Sequence, residues 1–360
     1  MSNTWGNQLK LSIFGESHGK CIGMTLSGVE AGITVDPSVL EQEMKRRAPG
    51  NKLSTSRQEA DQVDLVSGVM DGKTTGSPIT GLIYNTNTRS ADYDALKTWM
   101  RPSHADYPAY VKYHGFNDHR GGGHFSGRLT APLVAAGSIC SMALKSHLDL
   151  TTASHILQLY TYKEEPWDIP DKAQLLAMKE RQILAKDPEM VVSLIQEAQK
   201  EKNSIGGMIQ TAVLGIPAGL GDPFFDSLES RISSLLFSIP AVKGVLFGAG
   251  EQFASSTGRE LNDAYKIQQE KIVTETNHNG GILGGISTGM PVMVTVVVKP
   301  TPSIGTLQHS VDISSMKEEA KEVSGRHDPC IVLRAIPVIE ACLSIALYDA
   351  WLTEKGRFHA

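Results

Sequence analysis

The sequence predicts an α+β fold built from two related halves, and three observations carry that expectation. Three Asp-Pro dipeptides mark helix starts, a long β-branched run marks a strand, and one strand–turn–helix pattern occurs twice. In order, Leu11–Phe14 is an apolar strand closed by Gly15, and Lys20–Leu26 reads as a second strand. Asp36-Pro37 places an N-cap acid before a first-turn proline, with Leu40 and Met44 at helical spacing behind it. A helix is expected from about Ser126 to Ser146. The charged stretch Lys172–Lys202 reads as helical and peripheral, and Asp187-Pro188 opens a helix with Val191, Leu194 and Ile195 on one face. Met208–Leu214 and Val242–Phe247 are strand candidates, and Asp222-Pro223 predicts a further helix start. Val292–Lys299 is the strongest strand, and a last helix is expected from Pro337 to about Leu352.

The repeated pattern is specific in its letters. Gly23-Met24 leads to Gly28-Val-Glu-Ala-Gly32 and then Asp36-Pro37; Gly207-Met208 leads to Gly215-Ile-Pro-Ala-Gly219 and then Asp222-Pro223. The two copies lie about 185 residues apart and predict a duplicated half within one domain spanning residues 1–360.

Composition narrows the function. A chain of 360 residues with 20% charged and 41% hydrophobic residues is ordinary for a globular protein, and its net charge of −5 argues against nucleic acid as a partner. Lys45, Arg46, Arg47, Lys52 and Arg57 nevertheless form a basic run, which suggests a local anion site. Cys21, Cys140, Cys330 and Cys342 form no Cys-x-x-Cys pair, so neither a zinc knuckle nor a disulfide framework is expected. No continuous apolar segment reaches the ~18 residues of a membrane span, so no membrane partner and a cytoplasmic location are expected.

The densest chemistry lies between Arg101 and Arg128, where ten Asp, Lys, Arg and His side chains surround the bare triplet Gly121-Gly122-Gly123. Three consecutive glycines are entropically costly and usually mark close backbone approach to a ligand. Arginines and histidines beside them supply fixed positive charge and groups that titrate near neutrality. The bland alternative is a glycine hinge with solvated charges. Gly72-Lys73-Thr74 lacks the upstream glycine of a phosphate-binding loop and suits a tight turn. Gly15-Glu16-Ser17-His18-Gly19 has the letters of a hydrolase elbow, but a strand rather than a helix follows, which disfavours Ser17 as a nucleophile and leaves His18 as a site candidate. His104, His114, His119 and His124 lack metal-ligand spacing. The paired glycines Gly280-Gly281 and Gly284-Gly285 suit a backbone against a flat ring or phosphate, and Lys299, Thr301 and Ser303 could cradle a phosphate. Arg326-His327-Asp328-Pro329 holds three ionisable groups on a turn.

Taken together, these motifs resemble the chorismate synthase family. Gly-Glu-Ser-His-Gly, Arg-Pro-Ser-His-Ala-Asp, Arg-Gly-Gly-Gly, Gly-Gly-Ile-Leu-Gly-Gly-Ile, Lys-Pro-Thr and Gly-Arg-His-Asp-Pro occur in that family in this order, over essentially the whole chain. The resemblance implies a β-α-β sandwich, with a helical layer between two antiparallel sheets, and a homotetramer. It implies 1,4-anti elimination of phosphate from 5-enolpyruvylshikimate 3-phosphate, giving chorismate and requiring reduced FMN. By resemblance His18, His104 and Asp328 are catalytic, and Arg46, Arg47, Arg57, Arg101, Arg128 and Arg326 hold the substrate, with Arg46 and Arg57 less firmly aligned. Positions His124, Phe125, Ser126, Ala241, Gly284, Lys299, Pro300, Thr301, Pro302, Ser303 and Arg326 match FMN contacts.

There are departures. Where many members read Arg-Ser-Ser-Ala-Arg-Glu after the glycines, this chain has His124-Phe-Ser-Gly-Arg128-Leu; Arg-Arg-Arg-Pro-Gly becomes Arg46-Arg-Ala-Pro-Gly50. Members that reduce their own flavin with NADPH tend to be longer, so an external flavin reductant is expected as a partner. The rivals are a flavin enzyme acting on another phosphorylated enol ether and an inactive flavin- or anion-binding scaffold.

Overall fold

The computed structural model describes residues 3–48, 61–86, 97–322 and 327–358. Arg57 and Arg326 lie outside the described residues. The principal strands of the first sheet are β1 (Lys10–Gly15), β2 (Cys21–Ser27), β3 (Asp64–Ser67) and β4 (Ile79–Tyr84). They run antiparallel in the order β1-β2-β4-β3, with Thr4–Trp5 at the β1 edge. The second sheet holds β5 (Thr151–Leu159), β6 (Gly207–Leu214), β7 (Val242–Phe247) and β8 (Val292–Val298), antiparallel in the order β5-β6-β8-β7, with Tyr162–Lys163 at the β5 edge.

The duplication expected from the repeated turn is present in the topology. The first half runs β1, β2, α1 (Pro37–Arg47), β3, β4, then a short helix α2 (Asp106–Lys112) and α3 (Thr130–Lys145). The second runs β5, then α4 (Lys172–Lys179) and α5 (Pro188–Lys200), β6, α6 (Leu228–Leu236), β7, β8 and α7 (Val332–Phe358). Each half is therefore strand-strand-helix-strand-strand-helix with its strands in the same sheet order. Gly28 and Gly215, at φ +91° and +89°, occupy the same place: a β-carbon on either would collide with the carbonyl oxygen two residues before β1 or β5, at Gln8 or Asp149. The halves differ where they were free to. The β1–β2 turn is the Gly15–Gly19 loop, whereas α4 and α5 are inserted between β5 and β6, so the charged Lys172–Lys202 region is peripheral to the sheets.

Helices α3 and α7 form the layer between the sheets. Both are buried along most of their length, and Gly137 brings the α3 backbone against Ala341 of α7, where a β-carbon would stand 2.5 Å from the Ala341 Cα. One hydrophobic core runs from Leu11, Ile22 and Ile83 of the first sheet through Val134, Ile139 and Leu343 to Ile209 and Val294 of the second. Two stretches, Gly127–Lys145 and Val332–Gly356, are helices long and apolar enough to cross a membrane, contrary to the expectation of none; 83% of each apolar window is buried inside the molecule. A helix enclosed on all sides by sheets and a neighbour needs the same all-round apolarity as a membrane span.

Three boundaries differ from expectation. Asp222-Pro223 does not open α6: Phe224 takes a left-handed φ of +62°, a short 3-10 turn follows, and Ser227 caps α6 through the Ser230 amide. The last helix starts five residues before Pro337, which sits inside it, because the surrounding core outweighs one lost backbone bond. Helix α3 starts at Thr130, with Ser126 capping a preceding 3-10 turn at Gly127–Leu129. Asp36 and Asp187 do cap α1 and α5, and Asp71-Gly72 is a two-residue hairpin turn with φ of +49° and +71°.

Candidate active site

The triple glycine lies against two histidine rings. Gly121, Gly122 and Gly123 all have left-handed φ (+60°, +85° and +53°). A β-carbon on Gly121 would stand 2.5 Å from His18 Cδ2 and 2.6 Å from Nε2, and one on Gly122 would touch His104 Cε1 and Nε2 at 3.4 Å. Close approach to a ligand was expected; the contact in the structure is made to two histidine side chains of this chain itself. The β1–β2 loop is tied to the glycines at three points. The Ser17 amide donates to the Gly123 carbonyl (3.2 Å), the Ser17 hydroxyl faces the Arg120 and Gly121 carbonyls (3.3 and 3.2 Å), and His124 Nδ1 donates to the Gly15 carbonyl (2.9 Å). Ser17 works as a staple between loops, which accounts for it without nucleophilic chemistry.

His104 is held from behind. Its Nδ1 lies 2.6 Å from Asp106 Oδ1, and Arg101 grips the same carboxylate through Nε (2.7 Å), a terminal nitrogen (2.8 Å) and its backbone amide (3.2 Å). Burial works against the Asp106 charge, but the bonds from Arg101 and His104 outweigh it and hold the carboxyl well below its ordinary range. An ionised Asp106 only accepts, so Nδ1 carries the proton and Nε2, beside Gly122, is the nitrogen left for chemistry. Lys299 and Ser303 reach this loop from the end of β8. Lys299 Nζ donates to the Ser103 carbonyl (2.6 Å), Arg101 approaches Ser303 Oγ (3.4 Å), and the Lys299 amide donates to the carbonyl of Ala241 (2.9 Å), a residue held at φ +75°. The Thr301 hydroxyl between them is buried without a partner among the described residues.

A second group of charges adjoins the same loops. Arg47, 1% exposed at the end of α1, binds Asp61 through Nε (2.9 Å) and a terminal nitrogen (2.6 Å) and reaches Thr130. Arg128 binds the other oxygen of Asp61 and, through Nε, Asn85 (3.1 Å). Asn85 in turn donates to the Glu16 and Gly19 carbonyls, joining the arginines to the His18 loop. Asp328 is 8% exposed; Arg334 bonds its Oδ2 at 2.8 Å and donates from Nε to the Arg47 carbonyl (3.1 Å), while Asp328 Oδ1 has no partner among the described residues. Burial raises the Asp328 carboxyl above its ordinary range, against the pull of Arg334.

Not every predicted residue joins. Arg46 is committed to Glu43 (2.5 Å) and Glu340 (2.7 Å), and Glu340 also takes the Ser154 hydroxyl, so Arg46 belongs to the ionic tie between α1, α7 and the second sheet. Gly280, Gly281 and Gly285 pack against backbone of Gly248, Pro291 and Asp222, leaving Gly284, at the tip of a small hairpin, as the one member of those pairs that faces open space. Phe125 stands near Tyr113 and His124, with ring centroids 6.3 and 6.4 Å away, and Ser126 Oγ accepts from the Arg128 amide. Asp61, Asn85 and Arg334 were not singled out from sequence. Asp106 was visible only as a letter in a motif, without its task.

Comparisons with known proteins point to one family. The family model described as chorismate synthase matches residues 9–352. A chorismate synthase of Lancefieldella parvula is 41% identical over 100% of this chain and 99% of its own length; one from Dehalococcoides mccartyi is 42% identical over 97% and 96%. A solved structure entitled "Crystal Structure of Chorismate Synthase" superposes with a TM-score of 0.74 at 26% identity, covering 98% of this chain and 94% of that one.

Proposed function

The chain belongs to the chorismate synthase family, carbon–oxygen lyases of the shikimate pathway, and from that membership we propose that it removes phosphate from 5-enolpyruvylshikimate 3-phosphate by 1,4-anti elimination, giving chorismate with reduced FMN as cofactor. The observation that supports this most is the laying of His18 and His104 on consecutive glycines beside two buried arginine–carboxylate groups. A substrate with one phosphate and two carboxylates, beside a flavin, needs several fixed cations in a dry site.

In this reading Arg101 and His104 face the leaving phosphate. His104, oriented by the bond from Nδ1 to Asp106, acts through Nε2 as the general acid toward the departing oxygen. Arg47 and Arg128 hold the substrate carboxylates, joined by Arg57 and Arg326. Asp328, whose Oδ1 has no partner among the described residues, assists removal of the ring proton. By the family's pattern His18 steadies the protonation state of the flavin ring. Residues 299–303, with Lys299 and the Thr301 hydroxyl that has no partner among the described residues, fit a phosphate-bearing cofactor, and Ala241, Gly284 and His124 to Ser126 complete the assigned contacts. Bound reduced FMN supplies the electron density that weakens the carbon–oxygen bond.

Anaerobic incubation with reduced FMN and the enolpyruvyl substrate tests the proposal. Chorismate and phosphate released together support it; flavin binding without product overturns it. The proposal extends to one cytoplasmic domain, a homotetramer, and an external reductant that supplies the flavin. Consumption of NADPH by the pure protein with FMN alone would overturn the last point. Exposed Phe224, Phe225, Ile267 and Ile272 supply apolar surface for contacts between subunits.

A further inference from the structure

We propose that Arg334 is a positioning residue for Asp328, capping one carboxylate oxygen and leaving the other without a partner among the described residues. The inference rests on the proton-accepting role proposed above for Asp328. Arg334 lies in the first turn of α7 and spends its planar head on two fixed targets. One nitrogen bonds Asp328 Oδ2 at 2.8 Å, and Nε bonds the carbonyl of Arg47, the last residue of α1, at 3.1 Å. A rigid fork of this kind sets the separation of its two partners, which a lysine cannot do. One guanidinium therefore locates the carboxylate relative to the helix end that carries Arg47.

The asymmetry of the carboxylate is the informative feature. Buried carboxylates ordinarily fill both oxygens with donors. Asp328 fills Oδ2 and leaves Oδ1 buried and without a partner among the described residues. An oxygen in that state is costly unless something binds to it in the working enzyme. Two opposed influences set its charge: burial pushes the carboxyl up, and the Arg334 charge and hydrogen bond pull it down. The neighbouring Cys330 thiol, pushed up to about 12 by burial, remains neutral, and its backbone amide adds a small further pull on Asp328. His327 precedes Asp328 in the chain. Without Arg334, burial would act nearly unopposed and the carboxyl would titrate higher still.

The test combines Arg334→Met and Arg334→Lys with two readouts. Infrared titration of the resting protein, with Asp328→Asn as the blank, follows the carboxyl directly. The pH profile of turnover with reduced FMN follows the reaction. In the methionine variant the carboxyl midpoint should rise by about one to three pH units. Turnover at neutral pH should fall about tenfold for each unit the midpoint passes the working pH, and recover as pH is raised. Lysine should restore most of the midpoint. If the methionine variant does not fold, Arg334→Gln, which can still donate to the Arg47 carbonyl, replaces it. An unmoved midpoint in the neutral variant overturns the role of Arg334. A raised midpoint with an unmoved pH profile supports that role and overturns instead the assignment of Asp328 to the reaction.

Discussion

His104 shows how little of a side chain's task lies in its own letter. Its neighbours decide it: Asp106 takes Nδ1, and Gly122 leaves the Nε2 edge accessible. Under the proposed reaction, His104→Ala should lower turnover by ~10²–10⁴-fold, the usual worth of a general acid, while FMN titration gives an unchanged affinity. Asp61 is the opposite case, an acid with no signal in the sequence. It lies just past the basic run that suggested an anion site, and it pairs with Arg47 and Arg128 at once. Asp61→Ala should take this shared carboxylate from two buried guanidinium groups and cost about 3–5 kcal/mol of stability, read from denaturant melts. A variant as stable as the parent would mean that the arginines are solvated after all. The basic run was legible because like charges cluster in sequence; its counter-ion was not, because pairing happens across the fold.

Among the elements, those closed by local chemistry were legible and those set by packing were not. Asp36 and Asp187 cap their helices, and Val292–Val298 forms a central strand, because N-cap bonding and β-branching act within a few residues. Asp222 lost its helix to Ser227, and α7 runs through Pro337, because the Gly285 hairpin and the core decide there. The triple glycine was expected to approach a ligand; in the fold it packs on His18 and His104, from loops 103 and 17 residues before Gly121. Gly121→Ala should strain the backbone by about 1–2 kcal/mol and drive a methyl into the His18 ring. The expected result is a lower melting temperature with a disproportionate loss of turnover. Full turnover at an unchanged melting temperature would show that the loop tolerates a displaced His18.

For the molecule as a whole, the duplicated halves explain why the site sits where it does. The same hairpin turn carries Gly15–Gly19 in the first half and two inserted helices in the second, so only the first is free to meet the glycine loop. Charge buried in that meeting makes stability pH-dependent. Asp106 titrates below its unfolded value of ~3.9, so its contribution is complete above that value and is lost as pH falls through the lower folded one. Melting temperatures of the parent and Asp106→Asn should therefore differ most at neutral pH and converge in strong acid. A gap that stays constant with pH would mean that the Asp106 charge carries none of it.

The sequence alone determined five of the eight principal strands, the helices capped by Asp36 and Asp187, the repeat, and the identity of the histidines and arginines that carry the family's motifs. Each of these depends on interactions within a few residues or on residue type itself. Only the tertiary structure decided which charges pair. It set Asp106 behind His104, Asp61 between Arg47 and Arg128, and Arg334 between Asp328 and α1, and it sent Arg46 to Glu340. Those choices are made by Coulomb and hydrogen-bond energies over a few ångströms, between groups up to hundreds of residues apart in the chain.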